Sequence, residues 1–226
     1  MSLKKVVLGS VVAVVAVASL AIAVVLLNLD SLTKAVIEKA GSEATQTQVT
    51  LEQVEISLSD AHAELHGLVI GTPEGFELSP HAVEIRRLSL DIDRDTISAS
   101  VIVIRELLVD GLQVVIEEGN YASGGINSLQ ALGDNLSRLE ENADTAEPPE
   151  NSGPGNEKQF MVKSFRFING SVQLYSRRWE PKHLAIVDTT LNDLGTETVG
   201  LTSEQLGQVL STTVMANSGL LFPTAQ

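Results

Sequence analysis

Ser31-Leu32-Thr33-Lys34 has the S-x-x-K spacing of a serine nucleophile with a lysine base, but neither an S-D-N nor a K-T-G companion occurs in the chain. His62 and His66 stand four apart, as a metal-binding pair on a helix would. They fall in an alternating, strand-like stretch interrupted by Gly67, with no H-E-x-x-H and no cysteine, so exposed histidines are expected rather than a zinc site. Asp91-Ile92-Asp93-Arg94-Asp95 has the acidic start of a calcium loop without its glycine and distal glutamate, and reads as a turn at a strand end. Gly124-Gly125 is not set in a G-x-G-x-x-G between strand and helix, and the carboxylates are dispersed without a paired acid and base. No catalytic residue, metal site or cofactor is expected, and the chain does not read as an enzyme.

One local basic cluster remains, Arg177-Arg178-Trp179-Glu180-Pro181-Lys182-His183. It has two readings. It is an ordinary hairpin loop turned by Pro181, or Arg177, Arg178, Trp179 and Lys182 meet a membrane interface or a lipid headgroup.

Ahead of all these residues, the run Val6–Leu27 contains no charged residue, Asn or Gln. At the helical rise it reaches about 33 Å, enough for a hydrocarbon core of about 30 Å. The signal-like triplets Ala16-Val17-Ala18 and Ala21-Ile22-Ala23 lie inside the run, so an uncleaved anchor over residues 6–27 is expected. Lys4 and Lys5 just before it place residues 1–5 in the cytoplasm and the remainder outside. The chain carries a net charge of −14, which repels nucleic acid and, over most of its surface, anionic lipid. With no cysteine, stability rests on a core; aromatics are only 4% of residues, so that core is aliphatic.

After the anchor, a short helix over about 31–40 is expected, capped by Asp30 or Ser31 and ended by Gly41. From Val49 the hydrophobic period becomes two. Alternation slips by one residue between Leu51 and Val54, again at His66-Gly67 and at Arg86-Arg87, and each slip reads as a β-bulge. Thr72-Pro73-Glu74-Gly75, Asp110-Gly111 and Asn169-Gly170 read as turns, the last a tight hairpin. One face of each strand is aliphatic and the other polar. Asn127 caps a helix carrying Leu129, Leu132, Leu136 and Leu139 on one stripe, which closes a unit over residues 28–140. Residues 141–158, acidic and rich in Pro and Gly, read as a disordered linker or long loop. Residues 159–226 form a second strand block and an amphipathic helix, opened by a capping box at Thr202 and Gln205.

The segment Val49–Glu118 resembles the N-terminal unit of the AsmA-like family of bacterial envelope proteins. The match is carried by Val54-Glu55-Ile56-Ser57-Leu58, by Leu65-His66-Gly67-Leu68-Val69-Ile70-Gly71-Thr72-Pro73-Glu74-Gly75-Phe76, by Val103-Ile104-Arg105-Glu106-Leu107-Leu108-Val109-Asp110-Gly111, and by Asn127-Ser128-Leu129. Phe160–Thr196 resembles the second strand block of short members. The resemblance implies an inner-membrane protein with a single anchor, a periplasmic domain and an open, curved, antiparallel sheet whose apolar groove carries lipid acyl chains. On this reading Val54, Ile56, Leu58, Leu68, Ile70, Leu88, Leu90, Val114 and Ile116 line the groove, and lipids, or a second envelope protein, are the partners. About eight strands would make a groove of roughly 40 Å, too short to bridge two membranes alone. The alternative is a non-enzymatic structural or interaction module whose aliphatic face is packed against its own helices.

Overall fold

The computed structural model describes residues 34–57, 59–119, 125–144 and 158–217. The expected anchor and most of the acidic linker lie outside the described residues, as does Leu58. Among the described residues three helices, α1 (Lys34–Thr45), α2 (Ser128–Asp144) and α3 (Ser203–Asn217), flank a nine-stranded open sheet. Its strands are β1 (Val49–Thr50), β2 (Gln53–Ser57), β3 (His62–Gly71), β4 (His81–Ile92), β5 (Val101–Glu117), β6 (Gln159–Ile168), β7 (Gly170–Tyr175), β8 (Lys182–Ile186) and β9 (Thr189–Leu194). The protein is mainly β. Among the described residues no helix is long and apolar enough to cross a membrane.

The nine strands occupy six lanes. β1 and β2 both pair with β3, β6 and β7 both pair with β5, and β8 and β9 border β7 and β6. Six lanes span about 29 Å at 4.8 Å each, less than the roughly 40 Å expected from strand count.

Two expected turns are not turns. β5 runs straight through Asp110-Gly111 as one 17-residue strand, and the chain runs straight through Asn169-Gly170 from β6 into β7. Nor is the sheet wholly antiparallel, because β6 and β7 lie parallel to β5. The reason is the crossover. Parallel neighbours need a long connection, and the segment between β5 and β6 contains α2.

The phase slips have a common cause, and it is not bulging. Register is constant from Val49↔Ile70 through Gln53↔His66, and likewise from Val83↔Val114 through Arg87↔Asp110, so no strand gains a residue over its partner at this row. Instead Glu52, Gly67, Arg86, Gly111, Asn169 and Val187 occupy one row across all six lanes, and every lane skips one step of its alternation there. Gly67, Gly111 and Asn169 take φ of 59°, 71° and 56°. Glycine has no Cβ to oppose this, and Asn tolerates it better than other side chains. The coordinated skip returns aliphatic residues to the same face on both sides of the row, as Ile85 and Leu88 do in β4 and Val109 and Leu112 in β5. A second, less complete row passes through Arg105, Lys163 and Asp193, the last at φ 55°.

One aliphatic cluster joins the sheet to the helices through Ile37 of α1, Leu129 and Leu132 of α2, and Leu206 and Leu210 of α3. Burying Leu129 and Leu132 completely contributes roughly 1.5–3 kcal/mol each. The expected cap at Asn127 forms, as a reciprocal pair with Gln130, and so does the expected capping box at Thr202 and Gln205. The Gln130 N–H donates to Asn127 Oδ1 at 2.9 Å and the Asn127 N–H to Gln130 Oε1 at 3.1 Å; Gln205 and Thr202 exchange the same pair at 3.2 and 3.1 Å. α1 does not stop at Gly41. It continues to Thr45, and the missing Cβ at Gly41 lets the helix lie close on Val49.

Candidate functional site

Leu68, Ile70, Leu88, Leu90, Val114 and Ile116 share the aliphatic cluster, each 8% exposed or less. Val54 and Ile56, nearer the β2 edge, are partly buried and pack against it. The helices docked on the cluster thus meet the face expected to line a groove.

That face reaches solvent at the opposite edge of the sheet. Val114 pairs with Val172, which pairs with Leu184, and Ile116 pairs with Leu174, which pairs with Lys182. Paired residues project to the same side of a sheet. The first row therefore runs from the buried core to Leu184, which is 37% exposed, and the second ends in an ammonium group. Trp179 stands beside that ammonium, with Lys182 Nζ 5.2 Å from its ring centroid and the indole 38% exposed. Residues 176–181 are a hairpin loop between antiparallel β7 and β8, the bland one of the two readings in its geometry. Arg177 Nη2 lies 3.6 Å from Glu77 Oε2 and Arg178 Nη2 lies 3.4 Å from Glu118 Oε1. All four of these side chains are substantially exposed, so the pairs hold weakly and can exchange partners. The sequence pointed to Arg177, Arg178, Trp179 and Lys182; that Leu184 shares a face with Lys182 at the end of an apolar row was hidden, because its partner Val172 lies on another strand.

The reverse face is polar and densely paired. His62 and His66 share it, with Nε2 atoms 3.5 and 3.1 Å from the carboxylate of Glu64, and Arg87 reaches the same carboxylate at 3.7 Å. Asp110 accepts a hydrogen bond from Asn169 Nδ2 at 2.8 Å and another from Arg86. Burial pushes the Asp110 carboxyl up, but the Asn169 and Arg86 hydrogen bonds and the charges of Arg86 and Arg87 outweigh it and hold the group below the usual carboxylate range. The sequence singled out His62 and His66 but not their partner Glu64, and named Asp110 and Asn169 only as turn residues. The only signal was the polar or glycine residue at each phase slip, and the strands had to pair before these stood in a line. Asp91–Asp95 is the turn expected, with the Asp95 N–H donating to Asp93 Oδ1 at 3.2 Å ahead of a 3-10 turn over Arg94–Thr96. Among the described residues no group of three His, Cys, Asp or Glu is placed to hold a metal ion.

A carboxylate is also used structurally at the rim. Buried Glu117 accepts from the backbone N–H of Leu78 at 2.8 Å and of Glu77 at 3.2 Å, pinning the segment that follows Thr72-Pro73-Glu74-Gly75 to the end of β5. No protein-family model matches the chain, and no curated protein matches it.

Proposed function

We propose that this chain is a membrane-tethered, non-enzymatic module of the AsmA-like type that takes up lipid acyl chains along the aliphatic face of its sheet. On this reading residues 6–27 hold it in the bacterial inner membrane and the sheet stands in the periplasm. The observation that carries the proposal is the row Val114–Val172–Leu184, which leads from the core to an exposed edge. An acyl chain can lie on that edge without prising the helices from the sheet, and each methylene it buries contributes roughly 0.8 kcal/mol. The sequence resemblance and the aliphatic composition support the same reading.

Native mass spectrometry of the protein released from detergent tests it, with bound lipid expected at a stoichiometry near one. Protein that carries no lipid and takes up no fluorescent fatty acid would return the face to a purely structural role. A mature N-terminus beginning between residues 19 and 31 would remove the tether from the proposal.

A second reading has its own observation. Leu68, Ile70, Leu88, Leu90, Val114 and Ile116 are buried in a cluster with all three helices. That is what a structural or interaction module in an envelope assembly needs, with its aliphatic face spent on its own core. The two readings differ in whether the β8 edge binds lipid.

A further inference from the structure

We propose that the β8 edge is a site for lipids with an anionic phosphate headgroup: the acyl chain lies along Leu184 and Leu174, and Lys182, Arg177 and Arg178 hold the phosphate beside Trp179. This rests on the acyl-chain reading above and adds to it the class of lipid and the place of its headgroup.

The geometry is that of an amphiphile. Leu174 and Lys182 are register partners, so an apolar side chain and a cation stand side by side on one face. Leu184 is two residues along the same strand and therefore on that face too. The indole against Lys182 is an apolar body with a polar N–H, the kind of side chain that settles at a membrane–water boundary. Arg177 and Arg178 belong to the same loop as Trp179, between β7 and β8, and are 60% and 78% exposed at their side chains; a guanidinium can give a phosphate two parallel hydrogen bonds. Their present partners, Glu77 and Glu118, are exposed carboxylates that a phosphate can displace.

The chain's net charge of −14 does not forbid this. Charges farther than about 8 Å are largely screened at physiological salt, so the headgroup responds to the local cations. An acidic protein segment would answer to those cations as well, but it has no use for Leu184 and Leu174 beside them. The pairing of cation with aliphatic edge favours a lipid.

Trp179 is the only tryptophan in the chain, so its emission reports this loop alone. Full-length protein in phosphatidylcholine nanodiscs is titrated with soluble dihexanoyl-phosphatidylglycerol or dihexanoyl-phosphatidylcholine. The expected result is a saturable blue shift, with the anionic lipid binding at least about tenfold tighter, and affinity falling roughly fivefold for each cation removed in Arg177→Gln, Arg178→Gln and Lys182→Gln. The double variant Glu77→Gln/Glu118→Gln frees both guanidinium groups and should bind more tightly than wild type. Equal affinity for the two lipids, or a triple cation variant that keeps the preference, overturns the headgroup site and leaves acyl binding standing. No response to either lipid, together with lipid-free native mass spectra, overturns both. A response to glycerol phosphate or to poly-glutamate as strong as that to phosphatidylglycerol also overturns the proposal, in favour of a small phosphate ligand or an acidic protein partner. The exposed positions of the substituted side chains leave the fold intact, which circular dichroism checks.

Discussion

Asn169 Nδ2 donates to Asp110 Oδ1 at 2.8 Å, joining two strands at the row where every lane of the sheet skips a step. Asn169 takes a positive φ there, as Gly67 and Gly111 do in their lanes, and its short amide reaches the neighbouring strand. Asp110 is buried and also accepts from Arg86, so one carboxylate ties β4, β5 and the β6–β7 lane together.

Acid should loosen that tie. The folded carboxyl of Asp110 titrates below its unfolded value, so the stability it contributes is present above the unfolded pKa, near 4, and is lost as pH falls through the folded pKa. Asp110→Asn should be less stable than wild type at pH 7, and the gap should narrow below about pH 4. Urea titrations across that range measure it; a gap independent of pH would assign the loss to packing.

Gly67→Ala should destabilise for two separable reasons. At φ 59° a Cβ is strained by roughly 1–2 kcal/mol, and it would also stand 2.3 Å from Glu52 Cγ. Glu52→Ala removes the clash and leaves the strain. The double variant should therefore recover part of the loss, and strict additivity in thermal melts would mean that the Glu52 side chain had simply swung aside.

Glu117→Ala leaves the N–H groups of Leu78 and Glu77 without their acceptor and should destabilise by roughly 1–3 kcal/mol. The loss is local first. Hydrogen exchange at Leu78 should accelerate more than at Ile85 in the centre of β4, and uniform acceleration would show that Glu117 acts on global stability alone.

Two aliphatic residues on one face should part company under substitution. Ile70 is fully buried, and Ile70→Ala should cost about 2–5 kcal/mol in denaturant unfolding. Leu184 stands at the open edge, so Leu184→Ser should change stability by about 0.5 kcal/mol or less while lowering lipid uptake. Retained lipid in Leu184→Ser would move the acyl path away from the β8 edge.

What could be read along the chain was whatever a residue and its near neighbours decide. The period-two runs, the helices opened by Asn127 and Thr202, the steps at Leu51–Val54, His66-Gly67 and Arg86-Arg87, and the choice of an aliphatic core all follow from local spacing and capping chemistry. Asp110-Gly111 and Asn169-Gly170 show where such reading stops. Both dipeptides favour a positive φ, and a hairpin turn and a pleat skip inside a continuous strand use that conformation equally. Only the neighbouring lane distinguishes them: β6 and β7 lie parallel to β5 in unbroken register, so the chain cannot have turned back at either point. The helix between β5 and β6 was legible and is long enough for a parallel crossover, but the sheet was expected to be antiparallel throughout. The alignment of six skips in one row, and the meeting of Leu174 with Lys182 at an open edge, are pairings between distant strands that tertiary structure alone decides, because alternation assigns a residue to a face but says nothing of which residue stands beside it.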